Sequence, residues 1–83
     1  ETGQFDRVVF VGSGADRVAT IYDFKTNARE AGESEAAFAA RMRTLYAPQM
    51  ALYRQALSRL TGLAVERIGA QLLLEATGQA VPV

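Results

Sequence analysis

Asp23 and Lys25 stand two places apart in the stretch IYDFKT, residues 21–26, inside a run that otherwise reads as a buried strand. Side chains at i and i+2 of a strand leave the same face, so this carboxylate and this ammonium project together. The carboxylate is a hard oxygen donor for a divalent cation, and the lysine is a group that can orient a water or stabilise charge building on a phosphate. A third charged residue, Asp6 in GQFDR, is placed to join them. On the first strand Asp6, Val8 and Phe10 share one face; on the second Ala19, Ile21, Asp23 and Lys25 do. A turn closing with Val11 opposite Val18 sets Val8 against Ile21 and Asp6 against Asp23. Opposed side chains have Cβ atoms about 4.5–5.5 Å apart, so two aspartates there repel unless a cation compensates. A slip of one residue would put them on opposite faces. The D-x-K spacing alone is also that of ordinary solvated charges near a strand end, and Asp6 is what lifts it above that reading.

A second constellation lies in YAPQMALYRQAL, where Tyr46, Gln49 and Tyr53 are spaced three and four apart and share a helix face. Tyrosines at this spacing are commonly core residues. Gln49 fits a core poorly, because a buried amide needs hydrogen-bond partners, and it suits a polar pocket edge. Between residues 36 and 65 the chain carries Arg41, Arg43, Arg54 and Arg59 and no acid. These arginines, with Tyr46, are candidate phosphate contacts, although such a run is often no more than a solvated helix face.

The elements that must position these residues follow from local signals. Residues 4–11 and 17–25 are rich in β-branched and aromatic types and flank the turn GSGAD, which predicts a β-hairpin. Residues 26–34 read as a loop ending in Ser34, suited to cap a helix over residues 35–61. Pro48 predicts a break or kink near Ala47, and Gly62 a terminator. Residues 67–76 have the continuous apolar character of a buried strand, and TGQ turns them into a short strand over residues 80–83. The order β-β-α-β-β gives an α/β (α+β) fold in one domain, residues 1–83.

Composition narrows the chemistry. Nine basic and nine acidic residues cancel, so whole-chain charge argues for no class of partner. With no cysteine there is no disulfide framework and no thiolate ligand, and with no histidine the commonest catalytic base is missing. Chemistry rests on carboxylates and lysine. Apolar runs fall far short of a membrane span, and the start ETGQFDR has neither a basic n-region nor an apolar h-region, so a soluble, cytoplasmic chain without membrane contact is expected. A domain of this size buries only roughly 60–65% of its unfolded surface, so a missing element would be felt.

GQFDR, YDFKT and YAPQMALY, in that order, resemble the nuclease domain of RecB- and AddA-type helicase–nucleases, a branch of the PD-(D/E)XK nucleases. That pattern runs as a strand with G-x-[IV]-D-R, a strand with D-[FY]-K-T and a helix with Y-x-x-Q-[LM]-x-x-Y. The resemblance implies metal-binding aspartates at Asp6 and Asp23, a catalytic lysine at Lys25, the motif glutamine and tyrosine at Gln49 and Tyr53, and the backbone carbonyl of Phe24 as a further metal ligand. It implies a Mg²⁺- or Mn²⁺-dependent exonuclease acting on DNA during double-strand-break repair in bacteria. The implied partners are DNA, the helicase portion of a parent protein and a second helicase–nuclease subunit. The family carries an acidic or histidine residue on a helix upstream of the hairpin, and this sequence starts at the hairpin. A partial restriction-endonuclease-like core is therefore expected, nearly inactive in isolation and open to self-association. Two other readings stand beside this one: a nuclease-fold module that binds DNA or a protein without cutting, and an unrelated small α/β interaction domain.

Overall fold

A computed structural model of the chain describes residues 7–83. Strands β1 (Arg7–Val11), β2 (Val18–Lys25), β3 (Ile68–Leu74) and β4 (Gln79–Pro82) form one sheet in the order β1-β2-β3-β4, and helix α1 (Glu35–Thr61) lies across it. This is a mixed α+β architecture of the expected element order. β1 and β2 pair antiparallel with Val11 opposite Val18, Val8 opposite Ile21 and Arg7 opposite Tyr22, as the turn spacing required. In that turn Gly12 takes φ 83°, and a Cβ there would meet the Asp16 carbonyl oxygen at 2.8 Å, so no side chain fits.

β2 and β3 run parallel, with Ala19 opposite Ile68, Ile21 opposite Ala70, Asp23 opposite Leu72 and Lys25 opposite Leu74. Parallel neighbours need a long crossover, and α1 provides it. β4 returns antiparallel beside β3. β3 is shorter than residues 67–76 because Arg67 belongs to a one-turn 3-10 helix, Val65–Arg67, and the chain turns after Leu74, whose carbonyl accepts from the Gly78 N–H at 2.8 Å. The Lys25 carbonyl accepts from the Glu75 N–H at 3.1 Å, which holds the end of β2 against the end of β3.

Alternation decides the faces. Ala19, Ile21 and Asp23 of β2, Ile68, Ala70, Leu72 and Leu74 of β3 and Val81 of β4 are buried beneath α1. From the helix come Phe38, Ala39, Met42, Met50, Tyr53 and Leu57, at the three-and-four spacing of a single face. The opposite face of the sheet carries Phe24, 64% exposed, beside a groove of about 450 Å³ lined by Arg7, Val9, Tyr22, Phe24 and Leu73.

Helix α1 begins and ends where its caps dictate. Ser34 Oγ accepts from the Ala37 N–H at 3.0 Å, and Gly62, at φ 78°, donates its N–H to the Ser58 carbonyl at 2.8 Å. The expected break near Ala47 does not occur: Pro48 lies inside one continuous helix. Pro48 and Thr44, the residue whose carbonyl it leaves without a donor, are both exposed, so water can serve that carbonyl. Met42 on one side and Met50 on the other are fully buried, and they hold both halves of the helix to the same sheet.

Candidate active site

Asp23 is the polar residue that the described core encloses, 5% exposed on the helix-covered face of β2. A carboxylate there must be partnered to be tolerated. Lys25, two residues on and on the same face, brings Nζ to 3.2 Å from Asp23 Oδ2, and the two side chains keep only 10% and 7% of their exposure. The same Nζ donates to Gln49 Oε1 at 2.9 Å and stands 4.1 Å from the centre of the Tyr46 ring. Gln49 and Tyr46 are one helical turn apart on α1, so a single face of the helix meets the end of β2 with an acceptor and a π-surface. Tyr46 in turn donates from its hydroxyl to Asn27 Oδ1 at 2.9 Å.

Of the residues that the sequence singles out, Asp23, Lys25, Gln49 and Tyr46 therefore meet at one point. Tyr53, one turn beyond Gln49, is 5% exposed within the core. Phe24 lies between the two charged residues with its side chain on the opposite face, and the role given to its carbonyl concerns the backbone alone. Asp6 lies outside the described residues. The register up to Arg7 opposite Tyr22 is the one on which its pairing with Asp23 was argued.

The four arginines are not one stripe. At about 100° per residue, Arg41 and Arg59 take one bearing on α1 and Arg43 and Arg54 nearly the opposite one. Arg41 is bound to Glu33 through two hydrogen bonds, both 2.8 Å, and donates from Nη2 to the Ala28 carbonyl at 3.3 Å. Arg43 Nε donates to the Pro82 carbonyl at 3.0 Å, Arg54 Nε is enclosed without a hydrogen-bond partner among the described residues, and Arg59 is exposed. The hydrogen bonds from Arg41, and then that from the Glu30 N–H, hold the Glu33 carboxyl at about 2 instead of 4.5. Glu33 raises Arg41 in return. This pair ties the loop of residues 26–34 to the helix. Sequence reading missed Asn27 and Glu33, since a short polar residue in a loop carries no periodic signal; the nearest hint is that Asn27 follows Lys25 by two.

A family model of the PD-(D/E)XK nuclease superfamily matches residues 2–80. Neither a curated protein nor a solved structure matches the chain. Nucleases of this superfamily typically use divalent metals. The donor chemistry fits: Asp23 offers a carboxylate, the ligand type a hard cation such as Mg²⁺ prefers. Among the described residues no three His, Cys, Asp or Glu side chains come together, and Asp23 is the carboxylate that the core encloses.

Proposed function

The chain belongs to the PD-(D/E)XK nuclease superfamily, and from that premise we propose that it is a metal-dependent deoxyribonuclease module, an exonuclease of the RecB/AddA type working within a DNA-repair helicase–nuclease. The observation that carries the reading is the convergence on Lys25 Nζ, with Asp23 Oδ2 at 3.2 Å and Gln49 Oε1 at 2.9 Å, on the covered face of the sheet. Helix α1 thus brings a further acceptor, Gln49, to an ammonium that Asp23 on β2 already neutralises.

Asp23 and Asp6 would supply carboxylate oxygens, and Phe24 its carbonyl, to hold Mg²⁺ or Mn²⁺. When bound, such an ion polarises the scissile phosphate and lowers the pKa of coordinated water. Lys25 has three N–H donors on a flexible stem, of which Gln49 takes one; its ammonium stands beside the Asp23 carboxylate, where a water or phosphate oxygen held by the ion would come within its reach. Gln49 and Tyr53 order the lysine or contact the backbone of the strand being cut; the Gln49 hydrogen bond to Lys25 Nζ favours the first role. Arg59, exposed toward the end of α1, serves as a backbone contact for DNA. The parent helicase and a second subunit are the proposed partners, and a bacterial cytoplasm is the proposed location. Among the described residues no helix is long and apolar enough to cross a membrane.

Calorimetric titration with Mn²⁺ on the wild-type chain and on Asp23→Ala tests the proposal. Binding in the first and none in the second is expected. No binding in either would remove the metal site and leave a nuclease-fold module without metal chemistry, whereas Asp23-dependent binding without cleavage of any DNA by the intact protein would mark a module that binds and does not cut.

A further inference from the structure

We infer that Tyr46 and Asn27 are positioning residues for the Lys25 ammonium; the inference rests on the reading of Lys25 as a working group of a nuclease. Lysine ends in a freely rotating ammonium on a four-carbon stem, so a lysine that must act at one point needs its head confined. Asp23 and Gln49 each offer Nζ an oxygen, at 3.2 and 2.9 Å. Neither closes the remaining side of the ammonium. The Tyr46 ring does so, with its centre 4.1 Å from Nζ, where its negative face attracts a cation.

A ring is a wall only if it is held. The hydroxyl of Tyr46 donates to Asn27 Oδ1 at 2.9 Å, and Asn27 is two residues beyond Lys25 in the chain. The contacts thus make a closed circuit: out from Lys25 to the ring on α1, and back through Asn27 to the end of β2. The loop that carries Asn27 is itself fixed, since Arg41 binds both the Ala28 carbonyl and the Glu33 carboxylate. Tyr46 was a candidate DNA contact on sequence grounds. Its hydroxyl and one ring face are already committed inside the protein, which favours a positioning role over a contact with nucleic acid. Phenylalanine at position 46 would keep the wall and lose the fastening; leucine would lose both.

Two readouts test this on Tyr46→Phe, Asn27→Ala, the Tyr46→Phe/Asn27→Ala double variant and Tyr46→Leu. The first is the proton NMR shift of the Lys25 ε-methylene in the 83-residue chain, with backbone amide spectra to establish folding. A proton over a ring face is shifted upfield, so the wild type should show that shift, the two single variants a reduced one, and Tyr46→Leu a free-lysine value. The double variant should match the single ones, because both remove the same hydrogen bond. The second readout is Mn²⁺-dependent cleavage by the intact protein. The single and double variants should lose about 3–10-fold in kcat and Tyr46→Leu about 10–100-fold, with KM for DNA changed less than about 3-fold. An unshifted Lys25 methylene in the wild type would overturn the inference, as would additive losses in the double variant, or a Tyr46→Leu protein with raised KM and unchanged kcat, the signature of a DNA contact. Should Tyr46→Leu fail to fold, comparison of the singles with the double still decides. Absence of cleavage by the wild type would defeat the nuclease reading alone; the Lys25 shift would then uphold or overturn the placement of the ammonium by itself.

Discussion

Lys25 Nζ stands 3.2 Å from Asp23 Oδ2 on the covered face of β2, and the two side chains are almost equally buried. Their contributions are nonetheless unequal. Removing the cation leaves a short-stemmed carboxylate in the core without its neutralising charge, while removing the anion leaves a long-stemmed ammonium that can swing toward water. Lys25→Met should lower stability in metal-free buffer by on the order of 3 kcal/mol, and Asp23→Asn by about 1 kcal/mol, both read by urea denaturation. Excess Mn²⁺ should restore part of the loss in Lys25→Met and none in Asp23→Asn. Equal losses, unchanged by Mn²⁺ in either variant, would make the pair a structural ion pair only.

Gln49 gives Lys25 a carbonyl oxygen at 2.9 Å. Gln49→Leu keeps the bulk and deletes the acceptor of a charged donor, which should cost about 1.5–3 kcal/mol in thermal or urea unfolding. Cleavage by the intact protein should fall with it while Mn²⁺ affinity holds. A variant of wild-type stability and rate would place Gln49 outside the site.

The Glu33 carboxyl is held at about 2 by hydrogen bonds from Arg41 and the Glu30 N–H, with Arg29 adding a further favourable charge. A carboxyl whose value is lower folded than unfolded stabilises the fold in its ionised form. That contribution is complete above about 4.5, declines below it, and is gone once the pH falls through about 2. A carbon-detected NMR titration should therefore find Glu33 ionised at pH 3.5, and in Arg41→Ala its midpoint should move back toward 4.5. The same variant should free the loop of residues 26–34 and speed amide exchange there. A midpoint that does not move would show that Arg41 is not what fastens the loop.

Pro48 sits inside α1 with no N–H to give the Thr44 carbonyl. Alanine in a helix interior is favoured over proline by about 3 kcal/mol, less up to about 1 for the freedom that alanine returns to the unfolded chain. Pro48→Ala should thus raise stability by about 2 kcal/mol, seen as a higher unfolding midpoint. A loss would mean that proline at this position is needed to bring Tyr46 and Gln49 onto Lys25, and the Lys25 methylene shift would report it.

Much of this protein is written locally. The period-two alternation of VATIYDFK puts Asp23 and Lys25 on one face, the turn length fixes Val11 opposite Val18, and Ser34 and Gly62 set the ends of α1; each signal acts within a few residues, so the sequence determines it without the rest of the fold. The three-residue step from Tyr46 to Gln49 likewise fixes their common face. What the helix face meets is another matter. Parallel pairing of β2 with β3 joins segments more than forty residues apart, and only that pairing, with α1 as the crossover, lays Gln49 and Tyr46 over the end of β2. Passage of the helix through Pro48 was decided the same way, by burial of Met42 and Met50 on either side outweighing a local preference to break. Asn27 on Tyr46 and Arg41 on Glu33 depend on where a loop settles once the strand and helix are docked. These partners lie eight and nineteen residues apart, each pair with one member in the irregular loop, and neither the helix nor the strand period pairs them, so they became visible only in three dimensions.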